Sequence, residues 1–361
     1  MIVHDRHYQT VWLEGDAVVL IDQLALPHSF AIKRCATYRE TAEAIRGMLV
    51  RGAGAIGAAA GYGLAQAALQ APDAGWPTFA RALAEARQHL EATRPTAQNL
   101  FYATRRVFLA ATGAAPEVAA ARHSARLAAQ QIAAEDAAAC ASIGAAGAHL
   151  IGEGATVLTH CNAGWLAFVD WGTALAPVYA AVRRGARPFV LVDETRPRCQ
   201  GSSLTAWELA HEGVPHAVIA DNAAGYYMQR GEVQVVIVGA DRIAANGDVA
   251  NKIGTYEKAV VARDNGVPFY VAAPLTTIDP ACSSGRDIPI EERPAEELTT
   301  MAGLTESGAV QRIRLTHSPA RNPAFDVTPA RLITGLITPH GIFPATAAGV
   351  AAALTAGAAT P

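Results

Sequence analysis

Apolar and polar positions follow two different rhythms along the chain. Residues 8–25 alternate, with Val11, Leu13, Val18, Val19, Leu20 and Ile21 on either side of Glu14-Gly15-Asp16, which predicts a small β-hairpin or short sheet. From about residue 41 to 147 the pattern turns helical: Ala-rich stretches such as 79–92 and 117–148 carry Leu, Ile and Val at helical spacing. Breaks are expected at residues 52–57, 72–77, 94–95 and 113–116, where Gly and Pro gather. After Gly152 the rhythm becomes strand, loop, helix, repeated. Apolar runs at 155–159, 188–192, 216–220, 233–238 and 268–273 alternate with helical patterns near 172–183, 204–211, 222–230 and 254–264. Short apolar strands separated by short helices predict a doubly wound parallel sheet buried on both faces. The expected class is therefore α/β: a mainly helical N-terminal domain with a small sheet, residues 1–150, then a parallel-sheet domain, residues 151–361. The Ala-rich end, residues 341–361, reads as a docked helix and a frayed tail.

Composition narrows the setting. With 361 residues and 51% hydrophobic positions, there is material for two domains and a large core. A formal net charge of -3 gives no basic footprint, so nucleic acid is not an expected partner. The 5 cysteines, Cys35, Cys140, Cys161, Cys199 and Cys282, are odd in number and form no Cys-x-x-Cys pair, which argues for a reduced cytosol without disulfides or zinc. No apolar signal core opens the chain, and no uninterrupted apolar run reaches the roughly 18 residues of a membrane span. A cytoplasmic protein without membrane partner, metal or cofactor is the expectation.

A parallel sheet places function beyond the carboxyl ends of its strands. Polar clusters stand at four such ends: Cys161-Asn162-Ala163-Gly164, then Asp193-Glu194-Thr195-Arg196 through Gln200-Gly201, then Asp221-Asn222, then Gly239-Ala240-Asp241-Arg242. Cys161 alone reads as a small buried hydrophobe, the common use of cysteine, but its strand-end place argues equally for function. Its neighbour His160 points to the opposite face, which disfavours a Cys-His hydrolase dyad. Asp241 alone reads as a loop cap or an ion pair with Arg242. Behind an apolar strand and Gly239-Ala240, in a dry pocket, its proton affinity would rise as a general acid requires.

Asn251-Lys252 is expected at the start of the next helix, where backbone N–H groups and an ammonium favour a phosphate over a mere cap. Arg51-Gly52-Ala53-Gly54-Ala55-Ile56-Gly57 matches a Gly-x-Gly-x-x-Gly fingerprint but follows a helical pattern, and no acid-tipped strand lies about 20 residues beyond, so a nicotinamide site is disfavoured. A glycine turn beside Arg51 suits a phosphate of another kind. Thr93-Arg94-Pro95-Thr96 puts an arginine at a helix break, either a solvated charge or a second anion clamp.

Taken together, Arg51 to Gly57, Thr93 to Thr96, Thr159-His160-Cys161-Asn162-Ala163-Gly164, Asp193-Glu194-Thr195-Arg196-Pro197, Gln200-Gly201, residues 239–254 and Asn322-Pro323-Ala324-Phe325-Asp326-Val327-Thr328-Pro329 resemble the methylthioribose-1-phosphate isomerases, over residues 8–345. These are related to the regulatory subunits of the initiation factor 2 exchange factor and to ribose-1,5-bisphosphate isomerases. The resemblance implies a Rossmann-like second domain without a nucleotide and a homodimer. It implies that a sugar 1-phosphate is held by Arg51, Gly52, Ala53, Arg94, Gln200, Asn251 and Lys252, with Asp241 the proton donor and Cys161 the transition-state stabiliser. The family substrate is 5-methylthioribose 1-phosphate; 5-deoxyribose 1-phosphate is a related candidate.

The chain departs from the family pattern at Trp165-Leu166-Ala167-Phe168-Val169-Asp170-Trp171 and Gly225-Tyr226-Tyr227-Met228. These bulky groups either pack the core or reshape the pocket at the sugar's C5. An apolar neighbourhood of Trp165, Phe168 and Tyr226 would favour methylthio over a second phosphate. A bisphosphate isomerase and a non-catalytic sensing subunit are the alternatives. Asn246-Gly247-Asp248 reads as a turn, with Asp248 unassigned.

Overall fold

A computed structural model describes residues 1–95 and 97–358. Thr96 of the Thr93–Thr96 motif and residues 359–361 of the expected tail lie outside the described residues. The chain divides into two compact units, one made of Met1–Ala25, Phe30–Ala141 and Trp165–Gly172, the other of Leu26–Ser29, Ser142–Gly164 and everything from Thr173 onward.

In the first unit the N-terminal hairpin, Val11–Glu14 with Ala17–Ile21, is present and antiparallel. It gains a third strand, Ile32–Cys35, whose first three residues are exposed and so carried no alternation for the sequence to signal. Helices Tyr38–Arg46, Trp76–Glu91 and Gln98–Thr112 pack around a fourth, Ala53–Gln70. That fourth helix corrects the break expected at 52–57, because it starts there and runs for 18 residues. Every residue from Gly54 to Ala68 is buried. A helix apolar on all sides belongs inside other helices, and here its small residues let neighbours close in. A Cβ added at Gly57 would lie 3.0 Å from the Asn99 carbonyl oxygen. Glycine costs about 1 kcal/mol of helix propensity per position, which this packing offsets.

Segment Trp165–Gly172 also belongs to the first unit. The Thr10 hydroxyl donates to Trp165 O at 2.7 Å, Gln23 Nε2 to Leu166 O at 2.8 Å, and Val169 N–H to Asp136 Oδ2 at 2.7 Å. Trp165 and Phe168 are buried in this unit, and Tyr226 of the second unit is 58% exposed. Two of the three fill a core and one faces solvent.

The second unit holds a seven-stranded sheet, in the order Gly341–Phe343, Gly335–Thr338, Phe269–Ala272, Val235–Val238, Thr156–Thr159, Phe189–Asp193, His216–Ile219. All pairs are parallel except the antiparallel edge strand Gly341–Phe343. The five apolar runs all became strands, and helices Ala176–Arg183, Ala206–His211, Ala224–Gln229 and Thr255–Asp264 lie between them. The first of those strands sits mid-sheet, the next two add on one side, and the later ones add on the other. That is the Rossmann order, and its direction of growth reverses between Thr156–Thr159 and Val235–Val238.

Gly335–Thr338 and Gly341–Phe343 had not been foreseen, although the Ala-rich end does form a helix, Ala347–Ala358. Nor had a second sheet, Ile278–Asp279, Arg242–Ala244, Val249–Lys252 and Phe325–Thr328. Its two middle strands grow directly from the loop beyond Val238. Among the described residues no helix is long and apolar enough to cross a membrane.

Candidate active site

The reversal point of a doubly wound sheet leaves a crevice outside the carboxyl ends of the two strands that flank it. Cys161 leaves one of these strands and Asp241 the other. Cys161 has a left-handed backbone, φ 66°, a conformation a non-glycine residue keeps only when its surroundings fix it. Three contacts do so. The Cys161 N–H donates to Thr195 Oγ1 at 2.8 Å, the Thr205 hydroxyl donates to Cys161 O at 2.7 Å, and Asn162 Nδ2 donates to Glu208 Oε1 at 2.8 Å. Cys161 stays partly exposed, whereas His160 is 1% exposed.

The loop after Phe189–Asp193 is held from beneath. Asp221 accepts the N–H groups of Thr195 and Arg196, each at 2.7 Å, and the Thr195 hydroxyl donates to Asp193 O at 3.0 Å. A Cβ at Gly201 would lie 1.7 Å from Asp193 O, so only glycine permits this chain reversal. The reversal delivers Gln200, 7% exposed, whose Oε1 has no hydrogen-bond partner among the described residues. A buried amide oxygen without a donor is costly, so a bound group carrying a donor would be stabilised there.

Beyond Val238, a Cβ at Gly239 would lie 2.6 Å from the Ala163 Cβ, which brings the Asp241 loop against the Cys161 loop. The Asp241 N–H donates to Ala250 O at 2.9 Å and opens a hairpin whose turn is Asn246-Gly247-Asp248, as expected. Asp248, unassigned from sequence, fastens that turn: it accepts from Asn246 Nδ2 at 2.8 Å, Gly285 N–H at 3.0 Å and Ala330 N–H at 2.8 Å. Burial works against its charge, but these donors and the nearby Arg286 outweigh it and hold the carboxyl below its ordinary range.

Two expectations for this hairpin are corrected. Asn251 and Lys252 do not start a helix; they end strand Val249–Lys252, and the helix begins at Thr255 after left-handed Gly254. Its first N–H groups are taken by Asp326, which accepts from Gly254 at 2.7 Å and Tyr256 at 3.0 Å. Lys252 is buried, donates to Ala324 O at 2.7 Å and lies 4.7 Å from the Phe325 ring centroid, and Asn251 Nδ2 donates to Thr255 Oγ1 at 3.0 Å. Nor does Asp241 lie in a dry pocket, since its side chain is exposed. A strand that turns back within ten residues reads as apolar runs with a polar gap, which is also the signature of a helix start.

Folding also assembles a group that was not legible as a cluster. His160, Asp193 and Asp221 bring ligand-type atoms within 4.8 Å of one another. Their contacts are already made within the protein, however. His160 Nδ1 lies 2.8 Å from Asp193 Oδ2, His160 Nε2 lies 2.8 Å from Ile253 O, and both Asp221 oxygens are used by backbone donors. Burial pushes the Asp193 carboxyl up, against the lowering effect of His160 and Lys258. The signal for these residues was their position at strand ends, not their spacing.

The remaining expected residues lie in the first unit. Arg51, Gly52 and Ala53 enter the helix Ala53–Gln70, with Gly52 at φ 94° and no room for a Cβ, which would lie 2.3 Å from the Ala167 Cα. Arg94 is half-buried in the turn after Trp76–Glu91.

A model of the initiation factor 2 subunit family matches residues 49–345. The chain belongs to that family. Within it, the chain is 52% identical over 362 residues to a methylthioribose-1-phosphate isomerase of Methylobacterium nodulans, covering 97% of each. Among solved structures it is similar to the 5-methylthioribose 1-phosphate isomerase of Pyrococcus horikoshii, with TM-score 0.87, 42% identity and 97% of this chain against 96% of that one. It is also similar to a translation initiation factor eIF-2B subunit delta from A. fulgidus, with TM-score 0.81 and 40% identity over 94% of this chain and 96% of that one. The chain is thus similar to isomerase-named and to factor-named proteins.

Proposed function

We propose that this chain is a methylthioribose-1-phosphate isomerase, converting 5-methylthio-α-D-ribose 1-phosphate to 5-methylthio-D-ribulose 1-phosphate in methionine salvage. The observation that carries the reading is the pairing of an acid and a thiol at the reversal point. Asp241 and Cys161 leave the two strands that flank it, and Gly239 packs against Ala163 between them. Near full-length identity to isomerase-named relatives supports it.

The chemistry accounts for the residue set. A sugar 1-phosphate has no free aldehyde, so the ring C–O bond at C1 must break while the phosphate ester stays. Asp241 donates a proton to the ring oxygen, which leaves C1 electron-poor. Cys161, with its polarisable sulfur, stabilises the charge that develops at C1 and C2. Hydrogen then passes from C2 to C1, as a hydride or through an enediol-like intermediate, and the C2 hydroxyl gives up its proton to become the ketone, a proton that restores the Asp241 carboxyl directly or through water. Asp241 is exposed in the chain alone; closing substrate over it removes the water and raises its proton affinity. Lys252, Asn251 and Gln200 hold the phosphate, and Arg51, Gly52, Ala53 and Arg94 are proposed as further substrate-binding residues. A cytoplasmic homodimer is part of the same proposal.

A single comparison tests the reading: turnover of 5-methylthioribose, 5-deoxyribose and ribose 1-phosphates beside ribose 1,5-bisphosphate. Preference for the methylthio sugar is expected, with 5-deoxyribose 1-phosphate next. Preference for the bisphosphate would sink the substrate assignment. The likeness to the A. fulgidus factor subunit favours a second reading, a non-catalytic regulatory subunit, and inactivity on all four compounds would establish it instead.

A further inference from the structure

One imidazole ring touches three of the segments that build the candidate site. His160 precedes Cys161 in the chain and is buried. Its Nε2 lies 2.8 Å from Ile253 O, the residue after Lys252, and its Nδ1 lies 2.8 Å from Asp193 Oδ2, at the start of the loop that delivers Gln200. A carbonyl oxygen only accepts, so Nε2 carries a hydrogen, and one further proton is held in the contact between Nδ1 and Asp193. Gly254 packs against the ring edge: a Cβ there would lie 3.0 Å from His160 Cε1, and its φ of 100° already demands glycine.

The ring is enclosed by its surroundings. His160 and Asp193 side chains are 1% and 0% exposed. Lys258, from the helix that follows, lies 3.8 Å from Asp193 Oδ2 and is 1% exposed. Its ammonium is 3.6 Å from Glu257 Oε1 and has no hydrogen-bond acceptor among the described residues. Asp326 from the second sheet also acts on the ring electrostatically, and Asp221 acts on Asp193. Breaking such a buried arrangement costs more than its net contribution, because the surviving partners keep their burial and lose their contacts.

From this geometry we infer that His160 is a positioning residue. It fastens the strand end bearing Asn251 and Lys252 to the strand end bearing Cys161, so that one ring sets the phosphate-holding amine against the thiol. The inference rests on the roles proposed above for Lys252 and Cys161. In this role the ring acts through Ile253.

Two substitutions separate its two contacts, since an asparagine amide reaches about as far as Nδ1 and a glutamine amide about as far as Nε2. His160→Asn keeps the Asp193 contact and loses Ile253, whereas His160→Gln keeps Ile253. The readouts are kcat and KM on methylthioribose 1-phosphate, and amide hydrogen exchange over residues 249–254. His160→Asn is expected to exchange about tenfold faster in that segment and to raise KM about tenfold, the size of one lost buried hydrogen bond, with kcat within about threefold. His160→Gln is expected to stay near the parent in both. Parent-like exchange in His160→Asn, or equal damage in both variants, overturns the inference. Should His160→Asn fail to fold, a raised KM in folded His160→Gln overturns it alone, and a parent-like KM with unchanged exchange supports it. A parent with no turnover would remove the functional reading and leave the exchange result to decide the fastening.

Discussion

Asp326 accepts the backbone N–H of Gly254 at 2.7 Å, and with Tyr256 N–H at 3.0 Å it fills the N-terminus of helix Thr255–Asp264. A helix N-terminus is a ready anion site, and here the protein's own carboxylate occupies it. The charge that meets a phosphate must then come from a side chain, and Lys252 stands at the strand end two residues earlier, positioned by Ala324 O. Lys252→Ala is therefore expected to raise KM for the sugar phosphate by about 10- to 100-fold, the range for a charge-assisted hydrogen bond. Its kcat should change far less. Steady-state kinetics check this, and an unchanged KM would remove Lys252 from the phosphate site.

The Asp241 backbone N–H donates to Ala250 O at 2.9 Å. Asp241→Asn keeps that bond and the side-chain shape while removing the transferable proton. Turnover should fall by about 10² to 10⁴-fold, the usual worth of general acid catalysis, with substrate affinity by calorimetry within a few fold of the parent. Near-parent turnover would reassign the proton donor.

Beside the loop that delivers Gln200, Glu297 accepts from Arg293 at 2.6 and 2.9 Å and from Arg198 at 2.9 Å. Burial alone would raise its pKa, but the two guanidinium groups outweigh burial and hold it down to about 2, from an ordinary value of 4.5. A carboxyl depressed in the folded state adds stability above its unfolded pKa and loses it as pH falls through the folded one. Glu297→Gln is thus expected to lower stability at neutral pH by up to about 3 kcal/mol. The gap to the parent should narrow steadily as pH drops from about 4.5 towards 2. Denaturant titrations of both proteins across that window measure it; a gap independent of pH would mean the loss is one of packing.

Much of the site was legible because the central sheet is locally encoded. Each buried strand is a short apolar run, and ligand groups in this architecture stand at the carboxyl ends of such runs, so Cys161, Gln200 and Asp241 could be read by position alone. Asn251 and Lys252 were read on the wrong element, since Val249–Lys252 pairs with Phe325–Thr328, far away in sequence. Residues 52–57 failed in the same way. Gly54 and Gly57, which read locally as part of a break, lie inside a helix whose neighbours Asp136, Phe168 and Asn99 leave no space for side chains there.

The sequence by itself determined the α/β class, the five parallel strands, the polar groups at their ends and the turn at Asn246-Gly247-Asp248, all of which follow from periodicities of two to four residues. Only the tertiary structure decided which strands flank the reversal point, that Asp326 rather than a ligand fills the helix N-terminus after Gly254, and that His160, Asp193 and Lys258 share one buried network. Those are contacts between residues tens of positions apart. Their energy depends on burial and on donor–acceptor geometry, and neither exists until the chain has closed on itself.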